Sequence, residues 1–264
     1  MRVAEAAIWH DVENGAYGAD LRLWEELAER SGGPVLELGC GTGRVALHLA
    51  RRGYRVYGLD RDADLLEAMR DRAADLVRSG VGREPDARAQ GGAGPVAAEP
   101  TVMPVQADAR NFELADPVGL TIAPTHLLQL LPGRAERSEC LRSAAAALRP
   151  GGLFAAAIIE AMPAPDGAPP PLPDVREVDG WVYSSLAVEA AVGPGEIVVR
   201  RLRQTVSPEG GLSEEPDEVR IATFSADSLE DDAAPLGLVP LERRQVSPTD
   251  IHVGSTVVVL ERSG

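Results

Sequence analysis

The chain has 264 residues, 44% of them hydrophobic, and a formal net charge of −15. That is enough apolar material for one elaborated domain or two small ones, with an acidity that argues against nucleic acid and anionic membranes as partners. Every basic residue is arginine, and Cys40 and Cys140 alone make no metal or disulfide framework.

Met1 to Trp9 lacks the apolar region of a signal peptide and no run reaches membrane-spanning length, so a cytoplasmic protein is expected. Residues 1–18 read as an N-terminal lead. Leu21, Trp24, Leu27 and Ala28 share one face of a helix expected over 20–29. Val35-Leu36-Glu37-Leu38 then reads as a buried strand. It enters the turn Gly39-Cys40-Gly41-Thr42-Gly43, and a helix is expected over 45–52. A second apolar run, 55–59, ends at Asp60, and a helix follows with Leu65, Leu66, Met69, Ala73, Leu76 and Val77 at helical spacing. Residues 80–100 have no periodicity and read as a flexible surface insertion. Strand and helix signals alternate through residue 160, the pattern of a parallel sheet covered on both faces.

A Pro-rich stretch, 162–173, ends that half. Segments 181–190, 196–207 and 218–224 read as three strands of an inserted antiparallel sheet. The acidic run Glu214-Glu215-Pro216-Asp217-Glu218 reads as a solvated turn. A helix over 225–235 with Ser225 as N-cap, then strands over 238–246 and 252–261, complete the chain.

The glycine turn lies at a helix N-terminus, where free N–H groups and the dipole favour an anionic ligand group. A dinucleotide fingerprint would need glycines at 39, 41 and 44, but position 44 is arginine and the third glycine is Gly43. Glu37, two residues before Gly39, suits a ligand with a positive amino group and would repel a pyrophosphate. Asp60, at the tip of the neighbouring strand, is placed to take ribose hydroxyls. Residues 35–60 therefore resemble the first two motifs of class I S-adenosylmethionine-dependent methyltransferases.

The resemblance extends further. Residues 102–110, with Asp108 and Ala109, look like the third strand and the step that meets adenine. Residues 118–124 look like the fourth strand, and 148–153 like the turn before the fifth. The fold implied is α/β and doubly wound: a mainly parallel seven-stranded, Rossmann-like sheet with an antiparallel sheet inserted after the fifth strand. The expected organisation is a lead and helix over 1–33 and a cofactor-binding core over 34–160. A sheet over 174–224 covers the acceptor pocket, and a closing helix and strands span 225–264.

The resemblance implies S-adenosylmethionine as cofactor, held by Glu37, Gly39, Cys40, Gly41, Gly43, Asp60, Arg61, Asp108, Ala109 and Ala123. No metal is expected. The acceptor is expected to be a small molecule, since Ala123-Pro124-Thr125-His126 lacks the Asn/Asp-Pro-Pro-aromatic step of nucleobase amino-methyltransferases. His126, just beyond the fourth strand, is a candidate catalytic or substrate contact, against a loop histidine bonded to backbone. His10 is a candidate lid residue or base. Tyr17 belongs to a lead that approaches cofactor or acceptor in this family, or else packs on Trp24. His252 is weighed evenly between a turn and the pocket, and Arg44 between the cofactor carboxylate and a surface pair. A homodimer through the inserted sheet and a catalytically inactive, cofactor-sensing protein remain alternatives.

Overall fold

The computed structural model describes residues 4–79, 101–160, 162, 172–249 and 252–264. The insertion expected over 80–100 and most of the Pro-rich stretch lie outside the described residues.

Two sheets organise the chain. The first has seven strands: β1 (Val35–Leu38), β2 (Arg55–Asp60), β3 (Thr101–Gln106), β4 (Val118–Ala123), β5 (Leu148–Ile158), β10 (Leu238–Val246) and β11 (Ser255–Arg262). Their order is β10-β11-β5-β4-β1-β2-β3, parallel except where β11 meets β5 and β10. The strand order reverses at β1 and β4, and ligands of open α/β sheets bind beyond the strand ends at such a switch point. Both β1 and β4 are buried along their whole length, because helices cover both faces.

The covering helices are α1 (Glu5–Asn14), α2 (Leu21–Ser31), α3 (Arg44–Arg51), α4 (Ala63–Ser79), the short α5 (Leu127–Leu130), α6 (Arg134–Ala147) and α7 (Ala226–Ala233). One core cluster joins Trp24, Leu27, Leu49 and Met69 to one face of the sheet. Another joins Leu128, Leu141 and Leu229 to the other. Ser225 caps α7 as its sequence position suggests, its hydroxyl accepting from the Ser228 N–H at 3.1 Å.

The second sheet has four antiparallel strands, β6 (Asp174–Val178), β7 (Trp181–Gly193), β8 (Glu196–Val206) and β9 (Leu212–Ala222), in that spatial order. Four expectations need correction here. The sheet has a fourth strand, β6, joined to β7 by the Asp179-Gly180 turn, in which both residues have positive φ. The acidic run 214–218 is not a turn but part of β9, paired with β8 from Leu202↔Pro216 to Arg200↔Glu218. β9 is an edge strand, where a proline is tolerated. The lead also holds a helix that was not expected, α1, whose Ile8, Trp9 and Val12 pack against Val178 and Tyr183 of the second sheet. The last strand begins at Ser255, so His252 lies in the connection before it.

Candidate active site at the glycine turn

The turn between β1 and α3 is built from left-handed backbone. Gly39, Gly41 and Gly43 have φ of +63°, +53° and +89°, a region that L-residues with a Cβ rarely occupy. At Gly41 a Cβ would also lie 2.1 Å from His10 Nε2, so the α1 imidazole sits directly on the turn. His10 Nδ1 is 3.2 Å from the Thr42 hydroxyl, which donates to Asp11 Oδ1 at 2.7 Å. Burial pushes the His10 imidazole below its ordinary value, against the raising influence of Asp11 and Asp60.

Asp60 connects the turn to the next helix. Its Oδ2 accepts from Gly41 N–H at 2.9 Å and its Oδ1 from Asp62 N–H at 3.0 Å. Cys40 is buried and donates its backbone N–H to the Leu59 carbonyl at 2.9 Å; burial pushes its thiol up, leaving it an unreactive packing group. Arg61 is exposed beside Asp60. Asp108 is turned toward Arg110, which donates Nε to Oδ1 at 2.9 Å and Nη2 to Oδ2 at 2.6 Å; these bonds hold the carboxyl down at about 2. Ala109 packs beside it as part of the second cluster, and Ala123 is fully buried at the end of β4.

Glu37 has the most demanding environment. It is 3% exposed on β1, and its Oε2 has no hydrogen-bond partner among the described residues. Burial lifts its carboxyl to about 8, although the Arg44 charge and a backbone hydrogen bond from Ala46 oppose the rise. A buried acid in this state is stabilised in its charged form by an added cation. Glu37, the left-handed turn and Asp60 thus fit the ammonium, backbone-contacting and ribose parts of S-adenosylmethionine.

Arg44 takes a third course between the two expected. Its Nη1 and Nη2 donate to Asp20 Oδ1 and Oδ2 at 2.6 and 2.8 Å, with only 10% and 3% of the two side chains exposed. Nη1 also reaches the Tyr17 carbonyl at 3.0 Å. Asp20 accepts from Trp24 Nε1 at 2.8 Å as well, so one buried carboxylate fixes the connection between α1 and α2. Sequence reasoning passed over Asp20 and Asp11, whose partners stand 24 and 61 residues away in Arg44 and Arg72.

That connection delivers Tyr17 to the carboxyl end of the sheet. The Tyr17 ring meets His252 at a 40° tilt with centroids 3.9 Å apart and lies 5.0 Å from the Arg44 guanidinium. It also belongs to the Trp24 cluster, the packing alternative of the sequence reading. Burial lifts the phenol to about 12. His126 has a left-handed φ of +64° at the start of α5, next to Thr125 at +52°. Such strain in non-glycine residues persists where surrounding structure enforces it. Its Nδ1 is buried without a hydrogen-bond partner among the described residues. Burial first, and the neighbouring His252 second, drop its pKa to about 4. Tyr17 and His126 thus both border His252, while His10 lies on the glycine turn itself. His48 is remote from this group and pairs with Glu25 on α2.

A cleft of about 470 Å³ lies apart from the glycine turn, between α1 and the β6–β7 hairpin, with Ile8, Val178, Trp181 and Tyr183 among its walls. Among the described residues no cluster of His, Cys, Asp and Glu could hold a metal ion, and no helix is long and apolar enough to cross a membrane.

Comparison with known proteins agrees with this geometry. A protein-family model described as "Methyltransferase domain" matches residues 35–89, which include the glycine turn and Asp60. A 2-phytyl-1,4-naphtoquinone methyltransferase of Nostoc punctiforme is 44% identical over 61 residues, 20% of this chain; the match spans 26% of that relative's length. Over nearly the whole chain, the fold matches the CcbJ methyltransferase of Streptomyces caelestis, with a TM-score of 0.63, 23% identity and 96% of each chain covered. It also matches S-adenosylmethionine-bound CalS10, an amino pentose methyltransferase from Micromonospora echinaspora. There the TM-score is 0.66 at 15% identity, covering 100% of this chain and 99% of that one. The stretch around the glycine turn thus matches a methyltransferase-domain model, and nearly the whole chain has the fold of these methyltransferase structures.

Proposed function

We propose that this chain is an S-adenosylmethionine-dependent methyltransferase whose acceptor is a nitrogen of a small molecule. The carrying observation for the cofactor is Glu37, a buried acid with a partnerless oxygen at the head of a left-handed glycine turn. In this reading Glu37 and the turn from Gly39 to Gly43 hold the methionine end. Asp60 and Arg61 lie along the ribose, Asp108 and Ala109 along the adenine, and Ala123 borders the donor. When bound, the cofactor supplies an activated methyl on a good leaving group.

The chain's own work is chiefly alignment. His126, with its pKa near 4, stays neutral around pH 7 and offers Nδ1 to a hydrogen on the acceptor. Tyr17 keeps its phenolic proton and can donate it. Neither group is a strong base at neutral pH. An alcohol would need one to become a nucleophile, whereas an amine attacks through its own lone pair and loses its proton afterwards. This contrast favours nitrogen over oxygen, in line with the amino pentose named for CalS10. His10 closes the cofactor end, and the four-stranded sheet covers the acceptor.

A small acceptor rather than nucleic acid suits the net charge of −15, and a cytoplasmic setting suits the two free, buried cysteines. Exposed Val175, Val188 and Val192 on the four-stranded sheet give a homodimer an apolar surface to use.

Calorimetric titration with S-adenosylmethionine tests the cofactor. The parent protein is expected to bind; Gly41→Arg and Asp60→Ala are expected to abolish or weaken binding, and equal binding by all three would defeat the reading. With a panel of small amines and matched alcohols, methyl transfer from labelled cofactor should favour the amines. His126→Ala is expected to lower turnover by about 10²-fold or more while leaving cofactor affinity unchanged.

A further inference from the structure

Helix α1 touches both halves of the molecule through two carboxylates. Asp11 is 7% exposed. Its Oδ1 accepts from Arg72 Nη1 of α4 at 2.9 Å and from the Thr42 hydroxyl of the glycine turn at 2.7 Å. Its Oδ2 accepts from Arg72 Nη2 and lies 2.8 Å from Arg176 Nη1 of β6. Arg72 also donates to the Thr42 carbonyl at 3.3 Å. One buried carboxylate therefore meets the cofactor turn, the helix after β2 and the first strand of the four-stranded sheet.

Two residues on, Glu13 accepts from Arg203 Nε at 2.8 Å and from the Ser185 hydroxyl at 2.9 Å, reaching β8 and β7. Trp9, also on α1, meets Tyr183 of β7 edge-on at 5.3 Å and lies 5.2 Å from the Arg203 guanidinium. The charges at Asp11 balance: burial pushes its carboxyl up, but the Arg72 and Thr42 hydrogen bonds and the Arg72 and Arg176 charges more than offset this. It is a charged group held by four donors from three other elements, on the same helix whose His10 rests on Gly41.

We infer that Asp11 is a positioning residue that makes α1 a shared clamp, so that loading the glycine turn with cofactor also fixes the four-stranded sheet against the core. This rests on the methyltransferase reading. The physical warrant is that buried, multiply bonded charges have few alternative arrangements. A helix held this way moves with both of its partners or with neither. His10 of α1 rests on the turn that the cofactor would occupy. Its release would loosen Arg176 and Arg203 from the helix, and its binding would restore them. Cofactor binding would then precede and order the acceptor cover.

Hydrogen–deuterium exchange with and without S-adenosylhomocysteine tests the clamp, with calorimetry on the same samples to establish binding. In the parent protein the ligand should slow exchange in residues 5–14 and also in residues 174–186. The double variant Arg176→Met, Glu13→Gln removes the ion pairs between α1 and the sheet, leaves Trp9 packed on Tyr183 and keeps Asp11, Arg72 and Thr42 in place. It should bind the ligand with unchanged affinity, keep the slowing in 5–14 and show clearly less slowing than the parent in 174–186.

Asp11→Asn should weaken the affinity about tenfold, because α1 then occupies its closed position for a smaller fraction of the time. Arg72 and Arg176 are 33% and 45% exposed, so both can turn to water and spare the fold. Slowing of the sheet in the double variant equal to that in the parent, or its absence in a parent protein that binds the ligand, overturns the clamp. Failure of the parent protein to bind at all overturns the cofactor reading and the clamp with it.

Discussion

Along β4 every residue from Val118 to Ala123 is buried, whereas along β9 residues 212–216 are all exposed. The first strand sits inside a packed layer; the second is bound to its neighbour by backbone hydrogen bonds and side-chain ion pairs. Arg200 meets Glu189 and Glu218, Arg203 meets Asp217, and Arg220 meets Glu196 and Glu218. A packed core fixes position to fractions of an ångström, which a turn that must cradle a ligand requires. Exposed ion pairs hold a layer in place only loosely and are screened by salt. The contrast sets a closely packed sheet beside one held largely through its own surface.

Removing a core ring should give the largest effect. Phe154 is fully buried on β5, and Phe154→Ala is expected to cost about 3–5 kcal/mol in urea unfolding. A loss well below that would mean the parallel sheet is no better packed than its partner.

Glu37 sharpens the comparison from within the core. Its folded-state pKa of about 8 lies above its ordinary 4.5, so the folded chain holds a proton that the unfolded chain gives up between those values. The stability that neutral Glu37 allows is complete below pH 4.5 and is lost as pH rises through 8. Glu37→Gln stays neutral throughout. At pH 9 the variant should therefore unfold with on the order of 2–4 kcal/mol more stability than the parent, and the difference should vanish below about pH 4. Its affinity for S-adenosylmethionine should fall at least about tenfold. Equal pH profiles for the two proteins would refute the burial argument.

The smallest effect belongs to the other sheet. Arg200→Gln removes two ion pairs from a side chain 49% exposed and should change stability by less than about 0.5 kcal/mol in the same assay. A loss of several kcal/mol would show the four-stranded sheet to be structural in its own right.

The same contrast explains what could be read from the amino acids alone. Strands buried on both faces leave unbroken apolar runs, so Val35 to Leu38 and Val118 to Ala123 were visible, as was the glycine turn with Glu37 and Asp60 around it. The first half of β9 was hidden, although 218–224 read as a strand, because its exposed edge carries Glu214, Glu215 and Pro216, the composition of a loop. Helix α1 was hidden because its order comes from Asp11, Glu13 and Trp9 meeting distant residues rather than from its own periodicity. His126 was placed at the strand end by sequence, but its left-handed backbone and its neighbour His252 depend on tertiary closure. Arg44 is the same case: nothing local signals that Asp20 will claim it.

Glu37 carries one more consequence, for the solution around the protein. With a pKa near 8, its carboxyl is mostly protonated at pH 7. Accepting an ammonium group beside it requires the charged form. If Glu37 receives the ammonium as proposed, ligand uptake expels close to one proton into the buffer at pH 7 and almost none at pH 9. Such a site would be a cation-for-proton exchanger, its occupancy following the acidity of its surroundings as well as the supply of ligand.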